Sequence, residues 1–181
     1  EGGLSPYHLE GGADLVFQIG TAKYGVRDEH GNLSTDKLKE IAAHDQVKMF
    51  ELKMSQGAKP GKGGMLPGRK VNAEIAKIRG IPEGQDSISP NGHPEIKKPS
   101  DILDMIATVR NATGKPTGFK AVIGDYTWLE TLFAEINHRG IESAPDFITI
   151  DSADGGTGAA PQPLLDSVGL PLRESLPLVV N

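Results

Sequence analysis

Lysine, arginine, glutamine and glycine crowd into one stretch, KMSQGAKPGKGGMLPGRKV (53–71), where Gly57, Gly61, Gly63, Gly64 and Gly68 are interleaved with Lys53, Lys59, Lys62, Arg69 and Lys70. Backbone N–H groups and cationic side chains at that density can close around a small anion. The stretch lacks the lysine-then-hydroxyl ending that opens a helix in a Walker A loop, so the nucleotide P-loop is excluded. A solvated connection is the alternative reading of its composition. Lys120 sits inside the apolar run PTGFKAVIG (116–124). A lysine there is costly to bury without a counter-charge, which favours an inward position facing a ligand over an outward one between helices. Lys53, in ELKMSQ, follows the same logic, although Glu51 lies two positions away on the same strand face and can pair with it. Asp151 follows the apolar run PDFITI (145–150) and opens DSADGGTGAAPQP (151–163). Gly155, Gly156 and Gly158 remove side chains there, so the backbone can pass close to a flat ring or phosphate oxygens, and Thr157 supplies a hydroxyl. A tight turn is the competing explanation. Gln18 and Ser89 are neutral donors at the ends of apolar runs, either ligand contacts or satisfied turn residues. Arg79 closes a helical stretch and either anchors an anion or answers the helix dipole.

The elements that must position these groups alternate. DLVFQIG (14–20) and QVKMFELKM (46–54) read as strands around a helical STDKLKEIAAH (34–44). VNAEIAKIRG (71–80) is a short helix that Asn72 caps and Gly80 ends, and QDSIS (85–89) is a brief strand. SDILDMIATVRNATG (100–114) is the clearest helix, with Ser100 as its cap, residues 102, 103, 106 and 109 on one apolar face and Gly114 as its stop. PTGFKAVIG returns as a strand, DYTWLETLFAEINHRG (125–140) as a helix burying Leu129, Leu132, Phe133 and Ile136, and PDFITI as a strand. Strands and helices in alternation, with no hairpin turns, predict a parallel α/β sheet. Gln18, Lys53 to Lys59, Ser89, Lys120 and Asp151 to Gly158 all fall at or just past strand C-termini. In a TIM-type barrel those ends share one mouth. An open doubly wound sheet, the alternative, would gather only the groups at its switch point. About five strands are readable, whereas a closed barrel has eight and takes about 250 residues. The 181 residues therefore read as a single domain, 1–181, that is an internal piece of a longer barrel protein.

Composition narrows the partners. The formal net charge of −5 argues against general attraction to nucleic acid or acidic membranes. No run approaches eighteen apolar residues and the N-terminus lacks the order of a secretion signal, so a soluble, cytoplasmic protein is the expectation. Without cysteine the chain holds no disulfide, thiolate zinc site or iron–sulfur cluster. His8, His30, His44 and His138 have no metal-ligand spacing, His93 in NGHP is the one histidine that follows a strand end, and no metal site is expected.

The loop 53–71, Arg79, ISP (88–90), FK (119–120), DSADGGTGAAP (151–161) and GLPLRESL (169–176), in that order and spacing, resemble the FMN-binding domain of the glutamate synthase family, and most of all its shorter stand-alone members. The resemblance runs from EGG at the first residues to the final LVVN. It implies a TIM-like barrel holding FMN, in which reduced flavin delivers a hydride to the imine of 2-oxoglutarate and ammonia to give L-glutamate. It further implies Lys59 and Gln56 as catalytic residues and Gln56, Lys59, Arg79 and Glu1 as substrate contacts. Around FMN it places Gln18, Lys53, Ser89, Lys120, Asp151, Gly155, Gly156, Thr157 and Gly158. Two carboxylates on the substrate need at least two cations or donor forks, and reduced flavin is anionic, so these residue types suit the chemistry. An electron-donor protein or domain and 2-oxoglutarate or a related dicarboxylate are the implied partners. An iron–sulfur cluster is implied only for the parent outside this chain. At Met65 the chain departs from the large enzymes of the family, which carry glutamine there. Two other readings stay open: a non-redox barrel holding a phosphorylated or dicarboxylate ligand, with Lys120 as a Schiff-base lysine, and an inactive fragment whose two strand edges favour a homo-oligomer.

Overall fold

A computed structural model describes residues 2–165 and 167–180. In chain order its elements are α1 (Pro6–Glu10), β1 (Leu15–Ile19), α2 (Thr35–Ala42), β2 (Val47–Lys53), β3 (Met65–Leu66), α3 (Ala73–Arg79), β4 (Ser87–Ile88), α4 (Pro99–Thr113), β5 (Thr117–Ala121), α5 (Thr127–Arg139), β6 (Ile148–Ile150) and α6 (Leu172–Val180).

Four strands form one sheet in the order β1-β2-β5-β6, every pair parallel. Alternation along each strand divides the residues between two faces. Phe17 and Ile19, Phe50 and Leu52, and Phe119 and Ala121 face the helices, where they share one core with Leu38 of α2, Leu103, Ile106 and Val109 of α4, and Leu129, Leu132 and Ile136 of α5. Burying such side chains is worth about 1.5–3 kcal/mol each, which makes this layer the main source of stability. The strands follow one another without a reversal of order, and the three crossover helices share a single core on one side. A doubly wound sheet would reverse its order and cover both faces. The described residues are consecutive staves of a TIM-type barrel, with the second face of the sheet turned to the lumen.

Two details differ from the sequence reading. QDSIS is not a stave of the parallel sheet: only Ser87–Ile88 is extended, and it pairs antiparallel with Met65–Leu66, Met65 opposite Ile88. A two-residue strand with Ile88 66% exposed has too little apolar surface to claim a place in the core. Ser100 does not cap α4. Pro99, whose fixed φ suits the first helical position, starts the helix two residues earlier, and the Asp101 carboxylate accepts from the N–H groups of Lys97 and Lys98 at 2.8 and 3.0 Å. Residues 172–180 form a further helix, with Pro177 inside it. The remaining caps are as expected: Asn72 Oδ1 accepts from the Ile75 N–H at 2.9 Å, and α3 and α4 stop at left-handed Gly80 and Gly114. Among the described residues no helix is long and apolar enough to cross a membrane.

Candidate functional site

The lumenal face is polar where a packed core would be apolar. Register sets Gln18 beside Glu51 and Gly118, and Lys53 beside Lys120 and Thr149. Glu51 is buried, and each of its oxygens accepts one bond: Gln18 Nε2 donates to Oε1 and Thr149 Oγ1 donates to Oε2, both at 2.6 Å. One carboxylate thus links β1, β2 and β6. The Lys120 ammonium stands 3.5 Å from Asp151 Oδ2 at the strand ends, the counter-charge that its burial demands.

Above the C-terminal ends of β1 and β2 lies a cavity of about 300 Å³. It is walled by the loop 53–66, by Thr21 and Tyr24 from the loop after β1, by Arg79 at the end of α3, and by Ser87, Ser89 and Asn91 around β4. Lys53, Lys59, Lys62 and Arg79 reach it, and among the described residues no carboxylate lines it. Such a donor set suits a ligand of multiple negative charge.

The glycine-rich loop that forms one wall is itself firmly held. A Cβ on Gly57 would stand 1.8 Å from the carbonyl oxygen of Ser152, and one on Gly63 would stand 2.0 Å from that of Ser89. Glycine is needed at both positions because another backbone passes there. The Gly57 N–H donates to Asp151 Oδ2 at 2.8 Å, the Gly63 N–H to Asn91 Oδ1 at 2.9 Å, and the Ser89 N–H to the Gly64 carbonyl at 2.8 Å. The Gly57 and Gly63 N–H groups are spent on protein acceptors and so are withdrawn from anion binding. Asp151 serves two masters, the loop backbone and Lys120, and joins cavity to lumen.

A second tether lies below the cavity. Lys23 adopts a left-handed backbone (φ 53°) and its buried ammonium meets Glu95 Oε1 at 2.9 Å. Burial pushes the Glu95 carboxyl up, but the hydrogen bond and charge of Lys23 outweigh it and hold the group below the usual carboxylate range. His93, the histidine nearest the site, is buried with Nε2 3.0 Å from the Lys53 carbonyl oxygen, which places it against the end of β2 outside the cavity wall.

The residues expected to act together therefore fall into three groups. Lys53, Gln56, Lys59, Arg79 and Ser89 share the cavity, with Met65 at its rim, 66% exposed. Gln18, Lys120 and Asp151 lie on the lumenal face and its edge. Gly155, Gly156 and Gly158 are exposed and Thr157 is half-buried, and none of the four lines the cavity. The start of that segment is used structurally: Ser152 Oγ and Asp154 Oδ2 each accept from the Leu172 N–H at 3.0 Å and cap α6. The Ser152 hydroxyl and then the Leu172 N–H hold the Asp154 carboxyl below its ordinary range. Glu1 lies outside the described residues. Sequence reasoning did not find Thr21, Tyr24, Ser87 or Asn91. Thr21 and Tyr24 carried a signal, since they directly follow a strand end, whereas Ser87 and Asn91 reach the cavity only through the β3–β4 pairing.

The whole chain, residues 1–181, matches the family model described as the conserved region in glutamate synthase. It is 46% identical over 179 residues to the glutamate synthase large subunit-like protein YerD of Bacillus subtilis, covering 99% of this chain and 34% of that protein. It is 35% identical over 191 residues to the archaeal glutamate synthase (NADPH) of Methanocaldococcus jannaschii, covering 99% of this chain and 32% of that protein. Against the large chain of glutamate synthase (NADPH) of Bacillus subtilis identity is 34% over 177 residues, 94% of this chain but 10% of that one. The chain thus spans about a third of the length of the first two of these relatives.

Proposed function

The chain belongs to the glutamate synthase family, and from that premise we propose that its parent is an FMN-dependent oxidoreductase of glutamate synthase type that reduces the imine of 2-oxoglutarate and ammonia to L-glutamate. The observation that carries the reading is the cavity holding Lys53, Lys59, Lys62, Arg79 and Gln56, with no carboxylate among the described residues that line it, set beside a lumenal face with Lys120. Two cations on different elements, Lys59 on the loop and Arg79 on α3, suit the two carboxylates of a short dicarboxylic acid. The Gln56 amide has both a donor and an acceptor to offer the imine and its neighbouring carboxylate. The Lys59 ammonium, on the cavity loop between Ala58 and Pro60, is assigned to supply the proton that the imine nitrogen needs.

The residues present fit an anionic ring system on the lumenal side. Gln18, Lys53, Ser89 and Lys120 would hold FMN through donors at strand ends, Asp151 orients Lys120, and the segment Gly155, Gly156, Thr157 and Gly158 offers backbone and one hydroxyl without bulk. Bound there, FMN supplies the hydride. Glu51 fixes the Gln18 amide, because a carboxylate can only accept and so turns Nε2 toward itself, leaving Oε1 for a ligand donor. A soluble cytoplasmic enzyme fed by an electron-donor protein or domain completes the proposal, with any iron–sulfur cluster outside this chain. The Lys120–Asp151 ion pair speaks against a Schiff-base role, which requires a neutral amine.

The test is the visible spectrum of the full-length protein titrated with 2-oxoglutarate. Flavin absorbance perturbed by the acid is expected. Replacement of Lys59 or Arg79 by alanine should raise the KM for 2-oxoglutarate about ten- to hundredfold. A protein that purifies without flavin, or that traps a carbonyl substrate on Lys120 under borohydride, would overturn the reading.

A further inference from the structure

Among the described residues, the groups that hold Arg79 in the cavity wall are neutral, and this has a chemical use. Its Nη1 donates to Ser87 Oγ at 3.0 Å, and its guanidinium carbon stands 5.0 Å from the centroid of the Tyr24 ring. The Tyr24 hydroxyl is 2.6 Å from the same Ser87 Oγ, and both residues are buried. Arg27 also places its guanidinium carbon 5.0 Å from that ring while donating to the carbonyl of Gly80, the residue that ends α3. On the cavity side the backbone of Gly2 comes close, such that a Cβ there would lie 3.5 Å from Arg79 Nη2. A carboxylate in these positions would orient the guanidinium and also neutralise it. A π face and a hydroxyl orient it and leave its charge for a ligand.

We propose that Tyr24 and Ser87 are positioning residues that aim the Arg79 fork at the second carboxylate of a dicarboxylic substrate, and so set the preference for dicarboxylic over monocarboxylic 2-oxo acids. The inference rests on the reading of Arg79 as a carboxylate anchor. Three elements must meet for it: the loop after β1 brings the ring, α3 the cation and β4 the hydroxyl. Arginine has rotamer freedom to lose, and fixing it before the ligand arrives favours binding.

The experiment uses the full-length protein with 2-oxoglutarate and a 2-oxo monocarboxylic acid of the same chain length, measured by calorimetric binding and by steady-state kinetics. Ser87→Ala and Tyr24→Phe should each weaken binding of the dicarboxylate and raise its KM about tenfold with kcat kept. Tyr24→Leu, which also removes the π face, should cost about a further fivefold. Values for the monocarboxylate should stay unchanged in all three, and Ser87→Thr should restore the dicarboxylate preference. If Arg79→Ala leaves dicarboxylate binding intact, the anchor reading itself fails. If Arg79→Ala weakens binding while Ser87→Ala and Tyr24→Phe do not, or if those two depress both acids alike, the positioning role is wrong.

Discussion

Gly57 and Glu51 support the site without lining its cavity. With the Ser152 carbonyl only 1.8 Å from where a Cβ would stand, Gly57→Ala must push the cavity loop away from the end of β6. Overpacking of this kind costs about 1–3 kcal/mol, which thermal or urea unfolding of the variant would register as a lower midpoint. Glu51→Ala leaves the Gln18 amide and the Thr149 hydroxyl without their acceptor in a buried layer. An expected loss of about 1–3 kcal/mol is measurable in the same way, and Glu51→Gln, which still accepts one bond, should lose less. At this scale the sequence was legible where a residue type is costly in its local setting. Lys120 in an apolar strand pointed to an inward position, and the structure adds the counter-charge in Asp151, which the sequence reading assigned to the cofactor. Glu51 was legible only as a neighbour of Lys53, because its partners Gln18 and Thr149 lie 33 and 98 residues away.

Two helix starts are sensitive to pH. The Lys97 N–H, then that of Lys98, hold the Asp101 carboxyl below its ordinary range against a desolvation cost, and Asp154 is held down at the start of α6. A carboxyl lowered in the folded state contributes stability that is complete above its unfolded value and is lost as pH falls through the folded one. The first turns of α4 and α6 should therefore loosen below about pH 4, ahead of the sheet. Amide exchange followed along a pH series checks this, and Asp101→Asn should abolish the dependence at α4 while leaving it at α6. Asn72→Ala should cost about 1 kcal/mol at the start of α3, and through Arg79 at the other end of that helix it should also disturb the cavity. Periodicity and caps made α2 to α5 readable, since those signals act within a few residues. The β3–β4 pairing was not readable, because it joins two stretches of two residues across α3.

For the whole molecule, the sheet ends on β1 and β6, and Val16 on its lumenal face is 51% exposed. Unpaired parallel edges and an uncovered inner face invite pairing with another chain. The 181-residue chain expressed alone is expected to sediment above its 19.2 kDa monomer mass and to bind flavin more weakly than its full-length parent. A monodisperse monomer with full flavin affinity would contradict this.

Residue order alone determined the alternation of strands and helices, the apolar face of each helix and the cations at the strand ends, because periodicity, capping and burial cost are local properties of a chain. Only tertiary structure decided that the helices gather on one side, that Gly57 and Gly63 are glycine for backbone clearance, and that Tyr24 and Ser87 meet Arg79. Those outcomes depend on which distant backbones come within a few ångströms of each other, and no short window of sequence encodes that distance.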